Sequence, residues 1–227
     1  MKVLIFICGE GLGHTSRCIA LGRELLAAGH EVYLGAYGYS KEFIERKGYK
    51  AVEIPPEIKL VGESGSLNLK RSIISTLKNG SVFAIFKVLS LLKEKKPDIV
   101  VSDSYFTGVV ASKVSGIPVY LIVNQSNMET FFKNGGIALR TLGGIIKQFY
   151  SYIFRRVDRI VIPDFPMPYT VCRLNLAFEE KVSKNLFFSG PLILEKFSDV
   201  KAEVLQKPHV LSLIGGFGYR EPIFRKV

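Results

Sequence analysis

Between Cys8 and Cys18 the chain reads CGEGLGHTSRC, three glycines spaced two apart, then an imidazole, two hydroxyls and a guanidinium. A glycine-rich turn from a strand into a helix lets backbone N–H groups approach an anion, and the helix N-terminus adds roughly half a positive charge. Phosphate is the natural guest for Gly11, Gly13 and the Thr15 hydroxyl. Arg17, one turn further on, is placed to clamp an anionic group in bidentate fashion, with an ordinary surface arginine as the alternative. His14 can cap the helix or hydrogen-bond a bound phosphate without accepting a proton. Glu10 is either a second carboxylate at this place or a solvated loop residue.

Other candidates stand further along. Asp103 closes PDIVVSD, where it either serves the site or caps the next helix. Asn124, Gln125 and Ser126 follow PVYLIV and either hydrogen-bond a ligand or shape the next loop. His14, His30 and His209 are scattered, and Cys8 and Cys18 lack partners at zinc spacing, so neither a metal centre nor a bound cofactor is expected. The three cysteines, Cys8, Cys18 and Cys172, cannot pair completely, which points to a reducing, cytoplasmic setting.

The elements that must position these groups can be read from periodicity. KVLIFIC is a first strand expected to be buried on both faces; it is too short and too glycine-bounded for a leader peptide. SRCIALGRELLAAG carries Ile19, Leu21, Leu25 and Leu26 at helical spacing and stops at Gly29. EVYLGAY, YKAVEI, DIVVSD, PVYLIVN and RIVIPD follow as strands. Such alternation predicts an α/β fold, a Rossmann-like parallel sheet with helices on both faces. Ligands gather beyond the carboxyl ends of such strands, so the glycine loop, Asp103 and Asn124 converge on one rim.

Two longer segments, residues 66–96 and 131–156, are apolar and basic with almost no acid. Each reads as helical, interrupted at Gly80 in one and at the Gly135/Gly136 and Gly143/Gly144 pairs in the other. With Lys70, Arg71, Lys78 and Lys87 in the first and Lys133, Arg140, Lys147, Arg155 and Arg156 in the second, they suit an anionic membrane surface. The alternative makes Ile73, Leu77, Phe83, Phe86 and Leu89 ordinary core residues. The 227 residues carry a formal charge of +11, so the surface seeks something negative. Nucleic acid is not the expected partner, because the aromatics follow core periodicity rather than clustering with arginines as stacking platforms. With 48% apolar residues the chain is no disordered segment, yet no stretch approaches the ~20 uninterrupted apolar residues of a spanning helix.

Spacing also sorts the loop readings. A dinucleotide fingerprint needs G-x-G-x-x-G and an acidic residue after the second strand. Here the third glycine comes one position early, His14 stands in its place, and EVYLGAYG ends without a carboxylate. A dinucleotide-dependent oxidoreductase is therefore the lesser alternative, and a Walker loop is excluded because no Lys-Ser/Thr closes the turn.

In order along nearly the whole chain, GEGLGHTSR with its helix ending in GHEV, then KPDIVVSD, the hinge-like FFSGP and VLSLIGGFG resemble the two-domain GT-B glycosyltransferases. The MurG-like and UDP-glucuronosyltransferase-like families are the nearest in pattern. The resemblance implies an acceptor-binding domain over residues 1–190, then a hinge and the opening of a donor-binding domain over 191–227. It implies transfer from a nucleotide-sugar, most simply a UDP-sugar, to a hydroxyl acceptor with inversion and without a metal. His14 matches the base that takes the acceptor proton, and Asp103 the carboxylate that orients it. MurG-like enzymes do not generally place an aspartate there, so the pair leans to the other family. Gly215, Gly216 and Gly218 match the loop that touches the donor diphosphate. From MurG-like enzymes comes the expectation of a lipid-linked acceptor and a peripheral position at the inner membrane face. The chain is expected to hold the acceptor half alone. A non-catalytic membrane-recruiting subunit, served by a separate donor-domain chain, is the other reading.

Overall fold

The computed structural model describes residues 1–9, 11–57, 59, 61–63, 66–79 and 83–195, together with the isolated positions 201, 207 and 225. Glu10, Gly80, the VLSLIGGFG segment and its Gly215, Gly216 and Gly218 lie outside the described residues.

The chain runs β1 (Lys2–Ile7), α1 (Leu12–Ala27), β2 (Glu31–Ala36), α2 (Gly38–Arg46), β3 (Ala51–Glu53), a two-residue ribbon β4 (Gly62–Glu63) with β5 (Ser66–Leu67), and α3 (Leu69–Asn79). There follow α4 (Ala84–Lys95), β6 (Ile99–Asp103), α5 (Phe106–Val114), β7 (Val119–Ile122), a 3-10 turn (Met128–Phe132), α6 (Ile137–Phe154), β8 (Arg159–Ile162), α7 (Glu180–Ser183) and β9 (Leu186–Phe188). Seven strands form one parallel sheet in the order β3-β2-β1-β6-β7-β8-β9. This is the doubly wound α/β architecture that the alternating pattern predicts.

β1 is the spine. Leu4, Ile5, Phe6 and Ile7 are wholly buried, because parallel strands covered on both faces have no solvent side. Each such side chain contributes about 1.5–3 kcal/mol by leaving water. On one face, Val3, Ile5 and Ile7 meet Cys18 and Ile19 of α1 and Ile44 of α2. On the other, Leu4 and Phe6 join Val88 of α4, Val109 of α5 and Phe154 of α6. Helix α1 ends where Gly29 adopts a φ of +80°, with His30 N–H bonding back to Leu25 O.

Two details differ from the sequence reading. Gly143 and Gly144 do not interrupt α6. A Cβ at Gly143 would stand 2.9 Å from Phe132 Cβ, so that glycine lets the preceding 3-10 turn lie close against an unbroken helix. The hinge-like FFSGP begins inside a strand, β9, which pairs with β8. Just after Gly190, Leu192 and Leu194 pack on the α1 side of the core and Arg23 Nη1 donates to Leu194 O at 2.8 Å.

Candidate active site

From β1 the connections run through β2 to β3 at one edge; from β6 they run through β7 and β8 to β9 at the other. The order therefore reverses between β1 and β6, and a crevice opens beyond their carboxyl ends. The glycine turn leaves β1 there and Asp103 is the last residue of β6, paired in register with Ile7. Cys8 N–H donates to Asp103 O at 3.1 Å and fixes the two strand ends together.

Three side chains meet in this crevice. His14 Nδ1 lies 2.8 Å from Asp103 Oδ1. Arg17, on the same face of α1 three residues on, donates from Nε to Asp103 Oδ2 and from Nη2 to Oδ1, each at 2.5 Å. Nη2 is also 2.9 Å from His14 Nδ1, and Cys18 Sγ donates to Oδ2 at 3.3 Å. The Asp103 side chain is 0% exposed, that of Arg17 11% and that of His14 24%, so only the imidazole offers a reactive edge to solvent or ligand.

Burial opposes ionisation of Asp103, but the Arg17 charge, then His14, and the hydrogen bonds from both hold its carboxyl well below the usual carboxylate range. The Arg17 guanidinium works against burial too, and Asp103 keeps it charged beyond its ordinary value. Burial, followed by the nearby Asp103 charge, pushes the Cys18 thiol well up, so Cys18 is a neutral donor here. When Nδ1–H donates to the anionic Asp103, the free lone pair of the imidazole is on Nε2, where it can take a proton.

The remaining sequence candidates divide. Gly11 is the residue before α1 and Gly13 lies in its first turn. A Cβ on Gly13 would meet nothing within 4 Å, so space is open above the helix start. Thr15 turns away: it is wholly buried and donates to Ser40 Oγ at 2.8 Å, joining α1 to α2. It shares the inward stripe of Ile19 and Gly22, which is why its hydroxyl does not reach the crevice. Arg17 is neither a surface arginine nor a free clamp, because its fork is closed on Asp103. Asn124 is exposed on the rim one strand over, while Gln125 Nε2 reaches Asn127 Oδ1 at 3.5 Å. Ser126 shapes the loop, accepting from Ala177 N–H at 2.7 Å.

Two carboxylates on this rim escaped the sequence reading. Glu57 crosses from the far edge and accepts from Phe106 N–H at 2.8 Å, Thr107 N–H at 2.5 Å and Thr107 Oγ1 at 2.6 Å, capping α5 directly behind Asp103. Asp164 accepts from Thr170 Oγ1 at 2.6 Å and from Val171 and Cys172 N–H, which folds the loop after β8. The Thr170 hydrogen bond leads the causes that bring its carboxyl down to about 2. No local pattern announces a cap supplied from 50 residues away.

The outer helices are not wholly core. Phe83 is 70% and Phe86 62% exposed at the start of α4, and Ile145 and Tyr152 are exposed on α6. Lys87 on α4, Lys147 on α6 and Arg155 just past its end stand exposed as well, as do Lys70 and Arg71 on α3. Leu89 and Ile73 are half-buried, whereas the side chains of Leu77 and Lys78 lie outside the described residues. Between α4, α5 and α6 is a cavity of about 310 Å³ lined by Ala84, Ile85, Phe106, Val110 and Phe149, with Glu57 at its polar end. Among the described residues no helix is long and apolar enough to cross a membrane. No group of three or more His, Cys, Asp or Glu placed to hold a metal occurs among them either.

Against known proteins, residues 1–171 match the family described as glycosyl transferase family 1. An uncharacterized glycosyltransferase of Methanosarcina acetivorans is 62% identical over all 227 residues, which cover 60% of that protein. The chain thus spans 60% of the length of that relative and of a second uncharacterized glycosyltransferase from Methanosarcina mazei. A Lachnospira eligens protein, UDP-N-acetylglucosamine–N-acetylmuramyl-(pentapeptide) pyrophosphoryl-undecaprenol N-acetylglucosamine transferase, is 35% identical over 150 residues, 62% of this chain and 38% of that one. Among solved structures, Arabidopsis thaliana UGT89C1 complexed with UDP-L-rhamnose superposes with a TM-score of 0.56 at 14% identity, covering 91% of this chain and 55% of that one. That likeness speaks for the fold.

Proposed function

The chain belongs to glycosyl transferase family 1, and from that premise we propose that it forms the acceptor side of an inverting glycosyltransferase that takes a nucleotide-sugar, most simply a UDP-sugar. The observation that carries this reading is the 2.8 Å contact between His14 Nδ1 and the buried Asp103, made in the crevice where the strand order reverses. An alcohol is a poor nucleophile at neutral pH. Asp103 holds the Nδ1–H, Nε2 takes the acceptor proton, and the alkoxide-like oxygen attacks the anomeric carbon from the face opposite the leaving nucleotide. Because Asp103 is held ionised by Arg17, the proton stays on the imidazole and is not passed on.

A lipid-linked acceptor suits the outer helices. Phe83 and Phe86 beside Lys87 combine exposed aromatic area with positive charge, the composition of a surface that rests on anionic lipid. The name of the Lachnospira eligens relative points the same way, since its acceptor carries a pyrophosphoryl-undecaprenol group.

Assays of the complete protein with UDP-sugars and acceptors, free and polyprenyl-linked, test this. His14→Ala is expected to lower kcat by about 100-fold or more, the ordinary contribution of a general base. The product should carry the inverted anomeric configuration by NMR. Turnover within about threefold of wild type would remove the base role.

A further inference from the structure

Oδ1 of Asp103, Nη2 of Arg17 and Nδ1 of His14 form a triangle with sides of 2.5, 2.8 and 2.9 Å. Nη2 carries two hydrogens, and one of them serves Oδ1. Nδ1 can then do one of two things. It can carry a proton and donate to Oδ1, in which case it faces the second Nη2 hydrogen as one N–H against another. Or it can be bare and accept that hydrogen, in which case the ring proton sits on Nε2. It cannot do both.

We propose that Arg17 is a positioning residue that opposes Asp103 at Nδ1 of His14, dividing the imidazole proton between the two ring nitrogens. The proposal rests on the base reading of His14 and deepens it. In the first form Nε2 is bare and accepts from an acceptor hydroxyl. In the second Nε2–H donates to an anionic oxygen, such as one of a phosphate above the open first turn of α1. The proton count is the same in both; the exchange passes through water at the partly exposed imidazole.

The physical reason lies in Asp103. A wholly buried carboxylate whose main partner were the imidazole would lose that partner whenever Nδ1 gave up its hydrogen, and would hold it there. The Arg17 fork supplies two charge-assisted bonds of its own, so both oxygens stay satisfied in either form. Arg17 thereby frees the proton that Asp103 would otherwise fix. Among the described residues, the other groups in electrostatic contact with Arg17 are thiols: Cys18 from α1, Cys8 after β1 and Cys172 from the loop beyond β8.

Histidine-selective nitrogen-15 NMR of the complete protein, with the His14 signals assigned through His14→Gln, reads the two forms. Wild type is expected to show both. In Arg17→Gln the Nδ1–H form should gain by about tenfold or more, the scale of removing a unit charge in contact with the ring. Asp103→Asn should favour Nε2–H, and Arg17→Lys should stay within about threefold of wild type. If Arg17→Gln does not fold, Asp103→Asn is compared with Arg17→Gln/Asp103→Asn, which leaves no buried charge unpaired; the second substitution should restore Nδ1–H by a similar factor. Inorganic phosphate added to wild type should raise Nε2–H. Equal ratios with and without Arg17 in whichever pair folds, or a ratio indifferent to phosphate, overturn the proposal. These signals do not depend on turnover, so a His14→Ala protein that still transfers sugar would end the base reading and leave the proton division standing.

Discussion

Asp103 and Glu57 are two carboxylates far apart in sequence that the fold brings to one rim, and their surroundings drive them in opposite directions. Asp103 lies between a guanidinium and an imidazole, and its carboxyl is held far down despite complete burial. Glu57 has no cation among its hydrogen-bond partners; burial raises it, and the bonds from Thr107 and Phe106 recover only part of that. Burial sets the cost in both places, but the charge next door sets the outcome. One carboxylate is a fixed anion between Arg17 and His14, while the other is a cap that orients α5.

The largest expected separation is in stability. Arg17→Ala leaves Asp103 buried and uncompensated, and should cost about 3–5 kcal/mol by denaturant unfolding. Glu57→Ala removes a cap from a half-buried helix end and should cost about 1–2 kcal/mol. Equal losses would mean that the two carboxylates are supported alike and the contrast is false.

The two should also differ in the sign of their pH dependence. Asp103 sits below its unfolded value near 3.9, so its stabilisation is present above that pH and fades as pH falls. Glu57 sits above its unfolded value near 4.3, so its contribution is present below that pH and is lost as pH rises through the folded value. The cost of Asp103→Asn should therefore shrink between about pH 5 and 3, by at most ~1.4 kcal/mol per pH unit. Glu57→Gln keeps an acceptor for the α5 amides and should gain on wild type as pH rises above the unfolded value near 4.3. Parallel slopes in unfolding free energy would break the comparison.

The Asp103 side of this contrast was largely legible in the sequence and the Glu57 side was not. Hydrophobic runs fix β1, β2, β6, β7 and β8, and a parallel sheet then brings His14 and Asp103 to neighbouring strand ends although 89 residues separate them. Helical spacing puts Arg17 on the face of His14, yet it cannot say that the fork points inward, since that depends on the depth of Asp103 in the crevice. Thr15 was open to a better reading, because Thr15, Ile19 and Gly22 share one stripe with the core. Glu57 follows two prolines after a short edge strand and reaches its partners only once the chain has crossed the rim. Gly143 and Gly144 look like breaks because a lone helix disfavours glycine. The close approach of Phe132, which rewards the first of them, is a tertiary fact.

The smallest effect concerns the residue that joins the two carboxylate neighbourhoods. Ser104 follows Asp103 with a φ of 52°, donates its N–H to Ile122 O at 3.2 Å, and turns the chain toward Tyr105 and the α5 cap that Glu57 holds. Ser102 Oγ braces the same turn by donating to Tyr105 O at 2.6 Å. A left-handed conformation costs an ordinary residue about 1–2 kcal/mol, and glycine escapes that cost but loses about 0.5–1 kcal/mol more in chain entropy. Ser104→Gly should thus leave unfolding free energy within about 0.5 kcal/mol of wild type. Ser104→Val, branched at Cβ, should lose about 1–2 kcal/mol. If the turn only connects, Ser104→Val will lower stability and leave turnover alone. If it sets the height of Asp103 against His14, kcat will fall in the valine variant and not in the glycine one, and the fixed anion and the helix cap are then coupled through one backbone angle.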